Sequence, residues 1–118
     1  FIKPLPTMKS IVSNVHFNTI AREWRCKWDN EEALTAAQSA LDAILADVKC
    51  VKGVKDVQRV VCGGCKDFKV IASLDEATFG DWEGCGFAPE SDFLGRLKAI
   101  DGITTVETQT YTLMSMMN

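Results

Sequence analysis

The sequence predicts an α+β fold of the ferredoxin-like kind, with the element order βαββαβ and an antiparallel sheet that carries two helices on one face. Residues 19–28 alternate in polarity as a strand does, and residues 34–48 repeat apolar side chains at helical spacing. Two β-branched runs flank Gly63-Gly64, which is typical of a hairpin. A second helix and a strand then follow in the same relation, as in the split βαβ arrangement. The sheet face away from the helices needs a cover, such as a second subunit or a ligand.

The first strand is predicted from Thr19 to Trp28. Its alternation places Trp24, Cys26 and Trp28 together on one face, with Ile20 and Arg22. Either these side chains pack within the sheet, or they form an aromatic wall at a subunit interface or against a flat ligand. We expect Trp24 and Cys26, or their neighbours, to lie on the face that needs a cover.

Capping residues locate the two helices. Asp29-Asn30 followed by Glu31 and Glu32 predicts the start of the first helix, because a capping side chain and acidic residues suit a helix N-terminus. That helix is expected to end near residues 49–52, with Gly53 as a left-handed terminator. Pro89-Glu90 opens the second helix and Asp101-Gly102 ends it. Residues 104–114 then predict a Thr-rich last strand.

The hairpin carries the motif that is most specific chemically. Gly63-Gly64 predicts a two-residue turn, so that Cys62 and Cys65 face each other across its neck. Four interpretations stay open: inert structural thiols, a redox-sensitive disulfide, part of a metal site, or a covalent attachment site. A linear tetrapyrrole held by a thioether is one such attachment, for which Cys62, Cys65, Cys85, Asp67 and the tryptophans supply the required types of side chain. A zinc site needs about four ligands and no second CxxC is present, so we predict no metal and no resident cofactor.

The connection from Asp75 to Pro89 is predicted to be a long Gly-rich loop. Its aromatic residues either tuck beneath the loop or contact a partner. With the strand residues they make up the predicted interface set: Trp24, Cys26, Trp28, Phe79, Trp82 and Phe87.

The chain divides into an N-terminal arm, residues 1–18, and one domain, residues 19–118. Pro4 and Pro6 disfavour regular structure at the start, and Ile11–Phe17 is expected to be extended. The apolar residues of the arm suggest that it docks on its own domain or on a partner. Because the sequence starts at Phe1 rather than Met, we expect a processed product or part of a longer chain.

Composition excludes several classes of function. The 118 residues are 47% hydrophobic and 25% charged with a net charge of −3, so no nucleic-acid-binding footprint is present. No apolar run approaches the ~20 residues that a membrane span requires. The single histidine, His16, lies in the arm, and an activated nucleophile needs a base beside it. We therefore predict no catalytic residue and no enzyme activity.

Three segments resemble the ligand-binding domain of the leucine-responsive regulator/AsnC family, within the dimeric α+β barrel superfamily. They are Val54-x-x-Val57, Gly64-Cys65-Lys66-Asp67 and the run from Ile100 to Thr110 that contains Gly102-Ile103. The resemblance implies a dimer whose effector site lies near Gly64 and Asp67, between subunits. The Cys62–Cys65 pair and the length of residues 75–89 depart from that family, and no DNA-binding helix-turn-helix is present.

The stretches REWRCKW, VQRVVCGGCKDFKV and AIDGITTVETQTYTLM also look like small stand-alone proteins of algal plastids. That resemblance implies a plastid location, in the stroma or associated with the thylakoid. Together with the arm and the aromatic loop, it leads us to predict a non-catalytic linker subunit of a photosynthetic assembly, which contacts protein subunits of a larger complex or a second copy of itself. The alternative is a small-molecule-binding regulatory barrel. A monooxygenase or haem-handling enzyme is the least favoured, because the sheet has no well-placed histidine.

Overall fold

The computed structural model describes residues 8–117, which form one four-stranded sheet, a small hairpin and three helices. The elements in chain order are β1 Lys9–Val12, β2 Val15–Phe17, β3 Thr19–Trp28, α1 Glu31–Lys49, β4 Val54–Cys62, β5 Asp67–Asp75, α2 Glu76–Gly84, α3 Glu90–Lys98 and β6 Ile103–Leu113. The predicted α+β, ferredoxin-like class is confirmed, with three helices in place of two. None of the helices described is long and apolar enough to cross a membrane.

The main sheet is antiparallel throughout, in the order β4-β5-β3-β6. The long strand β3 therefore lies in the interior of the sheet, between β5 and β6. Its pairing with β6 shifts by one residue between Arg25 and Lys27, opposite Thr105, whose φ of 53° is left-handed. Such a bulge bends an edge strand locally.

The helices cover the sheet face that carries the tryptophans, which corrects the predicted orientation of β3. Trp24 is 0% exposed, Cys26 2% and Trp28 6%, and they pack with α1 and with the buried side chains of β5. The alternation within β3 is as predicted, but the face left uncovered is that of Glu23, Arg25 and Lys27. Burying the large apolar side chains under the helices removes far more apolar surface from water than the opposite orientation does.

The connection between β5 and the last helix is not a loop, because residues 76–84 form the helix α2. Asp75 caps it, since its carboxylate accepts a hydrogen bond from the Ala77 amide at 2.9 Å. Phe79 and Trp82 are buried beneath α2 and Phe87 is partly buried, so the aromatic residues are tucked in rather than offered to a partner. The sequence pattern did not predict this helix, because Gly80 and Gly84 lie within it and glycine lowers helix propensity.

Part of the predicted arm forms an exposed hairpin. Strands β1 and β2 pair antiparallel, and apolar Ile11 and Val12 are 65% and 55% exposed. Residues 1–7, which include Pro4 and Pro6, lie outside the described residues, and the division at residue 18 stays a prediction. The radius of gyration is 16.2 Å, against about 13–14 Å for a compact chain of this length, so the molecule is elongated.

The β4–β5 turn has four residues rather than two. Cys62 pairs with Asp67, which leaves residues 63–66 as the turn, and the left-handed position is Lys66, with φ of 61°, rather than either glycine. The Trp28 amide donates to the Lys66 carbonyl at 3.0 Å, and the Trp28 indole Nε1 donates to the Asp67 carbonyl at 3.1 Å. These contacts with the end of β3 determine the shape of the turn. The Gly-Gly pattern alone predicted a two-residue turn because it does not include them.

Gly53→Ala is expected to destabilise the fold by about 1–3 kcal/mol. Gly53 has φ of +84°, and an added Cβ collides with the Thr78 side chain at the start of α2. Gly64→Ala is the matched control, because a Cβ there meets nothing within 4 Å. Urea unfolding followed by circular dichroism measures both variants. Equal stabilities of the two variants contradict this account of Gly53.

Candidate functional site

A cleft between helix α1 and the edge strand β4 is a ligand-sized space on the helix side of the sheet. We call it the α1–β4 cleft. Its volume is about 390 Å³, and it is lined by Leu34, Thr35, Gln38, Ser39, Arg59, Val61 and Phe68. Ligand pockets in proteins typically occupy about 300–1,000 Å³ and combine apolar walls with a few polar groups. The α1–β4 cleft has both properties.

Helical and strand periodicity together build this cleft. Leu34, Gln38 and the neighbouring hydroxyl residues follow one another at 3- and 4-residue spacing on α1. Arg59 and Val61 are two residues apart on β4 and so share its helix-facing side, where Val61 pairs with the buried Phe68 of β5. The floor is therefore apolar, and the rim is polar.

The polar rim is organised around one guanidinium group. Arg59 Nη1 donates to Gln38 Oε1 at 2.7 Å, and Gln38 Nε2 donates to Asp42 Oδ1 at 2.8 Å. Arg59 is oriented through the neutral amide of Gln38, and no carboxylate of residues 8–117 is in direct contact with its guanidinium group. A guanidinium in this state is suited to hold an anionic oxygen of a ligand.

A second, polar pocket lies on the sheet face away from the helices, which we call the open face. The pocket has a volume of about 240 Å³ and is lined by Arg25, Cys26, Lys27, Asp67, Lys69, Thr105 and Glu107. Its carboxylates are paired: Lys27 contacts Asp67, and Arg25 lies 3.5 Å from Glu107. The hydrogen bond and charge of Lys27 hold the pKa of Asp67 below its usual value, against the opposing effect of burial.

Two other groups near the open face titrate at high pH. Burial raises the pKa of the Cys26 thiol to about 11, with a further contribution from the charge of Asp67. Burial also raises the pKa of Tyr111 to about 12, assisted by the hydrogen bond that its hydroxyl donates to Glu23 at 3.1 Å. Cys26 is therefore a protonated, inert thiol at neutral pH.

A buried cluster of charged and aromatic side chains lies between β3 and the helices α2 and α3. Arg22 donates from Nη2 to Glu90 Oε1 at 2.7 Å and from Nη1 to Thr110 Oγ1 at 2.9 Å, and its guanidinium lies 4.0 Å from the Phe87 ring centre. Trp24 packs against Phe93 with ring centres 5.4 Å apart. Arg22 Nε and Trp24 Nε1 are buried donors that have no hydrogen-bond partner among the residues that the structure describes.

Four of the five residues predicted to bind or attach a ligand come together. Cys62, Gly64 and Cys65 lie at the β4–β5 turn, and Asp67 lines the polar pocket beside it. Cys85 lies elsewhere, in a groove of about 280 Å³ with Val51 and Lys52, which precede β4. Among residues 8–117, no three His, Cys, Asp or Glu side chains are placed to hold a metal ion.

The predicted interface set is largely unavailable to a partner. Trp24, Cys26, Trp28, Phe79 and Trp82 are each at most 6% exposed, and Phe87 is partly buried against the same core. They form the core because β3 is an interior strand whose helix-facing side chains are covered, and because Phe79 and Trp82 of α2 pack against the same cluster. The prediction that these side chains contact a partner is corrected accordingly.

Comparison with known proteins gives matches at the level of structure only. No protein-family model matches the sequence, and no curated protein matches it. In structure, 35 solved chains match. The matching structures named next are each less than 25% identical to this chain in sequence, so the matches establish its fold alone.

Three of the structural matches carry informative names. A monooxygenase from Streptomyces coelicolor, ActVA-Orf6, in complex with Nanaomycin D matches with a TM-score of 0.65 at 11% identity, over 86% of this chain and 92% of that one. A Deinococcus radiodurans protein, provisionally assigned as an antibiotic biosynthesis monooxygenase, matches at 0.63 and 14%, over 85% and 96%. SnoaB from Streptomyces nogalater, a cofactor-independent oxygenase, matches at 0.57 and 16%, over 85% and 97%.

These matches correct the predicted function. The named neighbours are monooxygenases and an oxygenase, so the prediction of a non-catalytic photosynthetic linker is wrong, and so is the prediction that the chain is no enzyme. The matches agree with the ferredoxin-like α+β fold and give no support to the finer resemblances to AsnC regulators or algal plastid proteins. The plastid location, the absence of a cofactor and the tetrapyrrole alternative are untested and stay predictions.

Asp67→Asn is expected to flatten the acid limb of the stability profile. The native pKa of Asp67 is lowered, so its carboxylate stabilises the fold above the unfolded value of 3.8, and this contribution is lost as the pH falls through the native pKa. The variant should unfold at lower urea concentration at neutral pH and lose less stability between about pH 4 and pH 2. Asp101→Asn, at an exposed position, is the control. A wild-type-like acid limb in Asp67→Asn contradicts the ion pair with Lys27.

Proposed function

We propose that the chain is a small-molecule-binding enzyme domain of the oxygenase type, whose substrate occupies the α1–β4 cleft. The observation that carries this proposal is the cleft itself, with its apolar floor at Val61 and Phe68 and the guanidinium of Arg59 at the rim. The names of the structural neighbours support the reaction class, since one is a monooxygenase in complex with a small organic ligand and another is a cofactor-independent oxygenase.

The cleft favours one class of substrate. Leu34 and Val61 offer branched apolar surfaces above the buried Phe68, and such surfaces suit a hydrocarbon ring system. Arg59 suits an oxygen that carries negative charge, such as a phenolate or an enolate. The Thr35 and Ser39 hydroxyls can donate to or accept from further oxygens of the same molecule. We infer a small aromatic molecule with ionisable oxygen substituents.

Such a substrate can supply the electrons of its own oxygenation. When an activated CH2 group becomes a carbonyl, the reaction CH2 + O2 → C=O + H2O balances without another reductant. One oxygen atom enters the product, and the other leaves as water with the two hydrogens of the substrate. Arg59 contributes by stabilising the anionic, electron-rich form of the substrate that reacts with O2.

Val61→Phe is expected to block the cleft and to lower the affinity for naphthol-type and anthrone-type probes at least tenfold. Val61 is 40% exposed and points into the cleft, so the larger ring fills that space without disturbing the core. Val60→Phe is a matched control, because Val60 is the next residue on the same strand, is 37% exposed and points to the open face rather than into the cleft. The oligomeric state of this variant is measured alongside its binding, so that an effect on the open face is distinguished from an effect on the cleft. Titration calorimetry measures binding, and an oxygen electrode with mass spectrometry of the product measures turnover.

The two readouts separate binding from chemistry. Binding that Val61→Phe abolishes, with oxygen uptake and a product carrying the expected carbonyl, supports the full proposal. Binding without oxygen uptake leaves a binding domain and overturns the oxygenase assignment. Binding that survives in Val61→Phe but is lost in Val60→Phe rejects the α1–β4 cleft as the site.

We further propose that the working unit is a homodimer formed through the open face. The fold has only two layers, a sheet and its helices, and its smallest dimension is 19 Å. The open face carries cationic Arg25, Lys27 and Lys69 beside anionic Asp67 and Glu107, a pattern that can complement itself across a two-fold axis. The exposed β1–β2 hairpin adds apolar surface that a second copy can cover.

Light scattering coupled to gel filtration is expected to give twice the 13.0 kDa of one chain. Arg25→Glu places a third negative charge beside Glu23 and Glu107 and should shift the equilibrium towards monomer at least tenfold. Arg96→Glu changes charge equally on the exposed side of α3 and should leave the dimer intact. A folded wild-type monomer at micromolar concentration contradicts the homodimer.

A further inference from the structure

A cysteine pair closes the β4–β5 turn, and neither the α1–β4 cleft nor the homodimer proposal makes use of it. Cys62 is the last residue of β4 and Cys65 lies within the four-residue turn, with the two Cα atoms 5.6 Å apart and the sulfurs joined as a disulfide. This separation is within the range usual for disulfides. The backbone of the turn therefore holds the two cysteines at a separation that suits the disulfide.

Solvent reaches this disulfide from the outside of the turn. Cys65 is exposed and Cys62 is partly exposed. The residues between them are Gly63 and Gly64, where even an added Cβ would meet no atom within 4 Å. A dissolved thiol can therefore approach the sulfur of Cys65 without displacing any side chain of the turn.

The two sulfurs are not equivalent, because the backbone solvates only one of them. The Cys65 amide donates to Cys62 Sγ at 3.1 Å. The carbonyl of Cys65 is itself fixed by the Lys27 ammonium at 2.9 Å, so this half of the turn is tied to β3. An amide donor stabilises negative charge on the sulfur that it contacts, here Cys62 Sγ, and a sulfur whose thiolate is stabilised is the better leaving group in thiol–disulfide exchange.

We propose that Cys62 and Cys65 form a thiol–disulfide exchange site for low-molecular-weight thiols of the glutathione class. A thiolate RS⁻ attacks Cys65 Sγ, and a new bond forms between the attacking sulfur and Cys65. The bond between the two cysteines breaks, and Cys62 leaves as a thiolate that accepts a hydrogen bond from the Cys65 amide. A second RS⁻ then attacks the sulfur of the bound thiol and releases Cys65. The protein disulfide and two RSH become the protein dithiol and RSSR, and the same steps in reverse re-form the disulfide.

The first test uses the whole chain equilibrated in buffers of reduced and oxidised glutathione at a series of ratios, then quenched with acid and alkylated. Trypsin cleaves after Arg59 and Lys66, so the peptide of residues 60–66 contains this cysteine pair alone. We expect that peptide to pass from disulfide to dialkylated dithiol across the series while circular dichroism stays native. A disulfide that persists until the chain unfolds, or a dithiol at every ratio, overturns the proposal.

The second test locates the point of attack. Oxidised protein is mixed with excess reduced glutathione, quenched early and treated with N-ethylmaleimide, and the 60–66 peptide is sequenced by mass spectrometry. The expected intermediate carries glutathione on Cys65 and maleimide on Cys62, and the opposite pattern overturns the assignment of roles. Cys85→Ser removes an exposed cysteine outside the turn and should change neither result, whereas Cys62→Ser should abolish formation of the disulfide.

Discussion

The burial of Trp24 between the central strand and helix α3 is the contact on which the rest of the structure depends. Trp24 is fully buried and lies against Phe93 and Trp82, with ring centres 5.4 Å and 6.2 Å away. Because side chains alternate along a strand, this one orientation determines that Arg25 and Lys27 point to the opposite face. A register slip of one residue would exchange the two faces and bury charges in place of the indole. The position of every site described above follows from it.

Sequence patterns were sufficient for the elements whose apolar residues recur regularly. The bounds of β3 and the start of α1 at Asn30 agree with the structure, because strand alternation and a capping side chain are local signals. The choice of sheet face was not local. Both faces of β3 are compatible with its alternation, and only the packing of α2 and α3 onto Trp24 decides between them. Helix α2 itself escaped prediction because Gly80 and Gly84, two of its nine residues, are typical of a loop.

The candidate sites also differ in whether local sequence or tertiary packing brings their residues together. Cys62, Cys65 and Asp67 were identifiable because they lie within one hairpin, where sequence neighbours are also neighbours in space. The α1–β4 cleft was not identifiable, since Gln38 and Arg59 are 21 residues apart and meet only when α1 crosses back over the edge strand. Neither residue belongs to a motif with a fixed spacing. The oxygenase proposal therefore depends on tertiary geometry, whereas the exchange site depends on a motif that the fold leaves exposed.

The turn also connects the two faces of the sheet. Lys27 binds the Cys65 carbonyl and the Asp67 carboxylate at once, so the polar pocket on the open face and the cysteine pair share one ammonium group. Trp28, the next residue, lies in the core on the opposite side and holds the same turn through its amide and its indole. Cys62 is also held by the strand ladder, in which it pairs with Asp67. None of these contacts involves the bond between the two sulfurs, so the turn has anchors to the core and to the open face that do not depend on the disulfide.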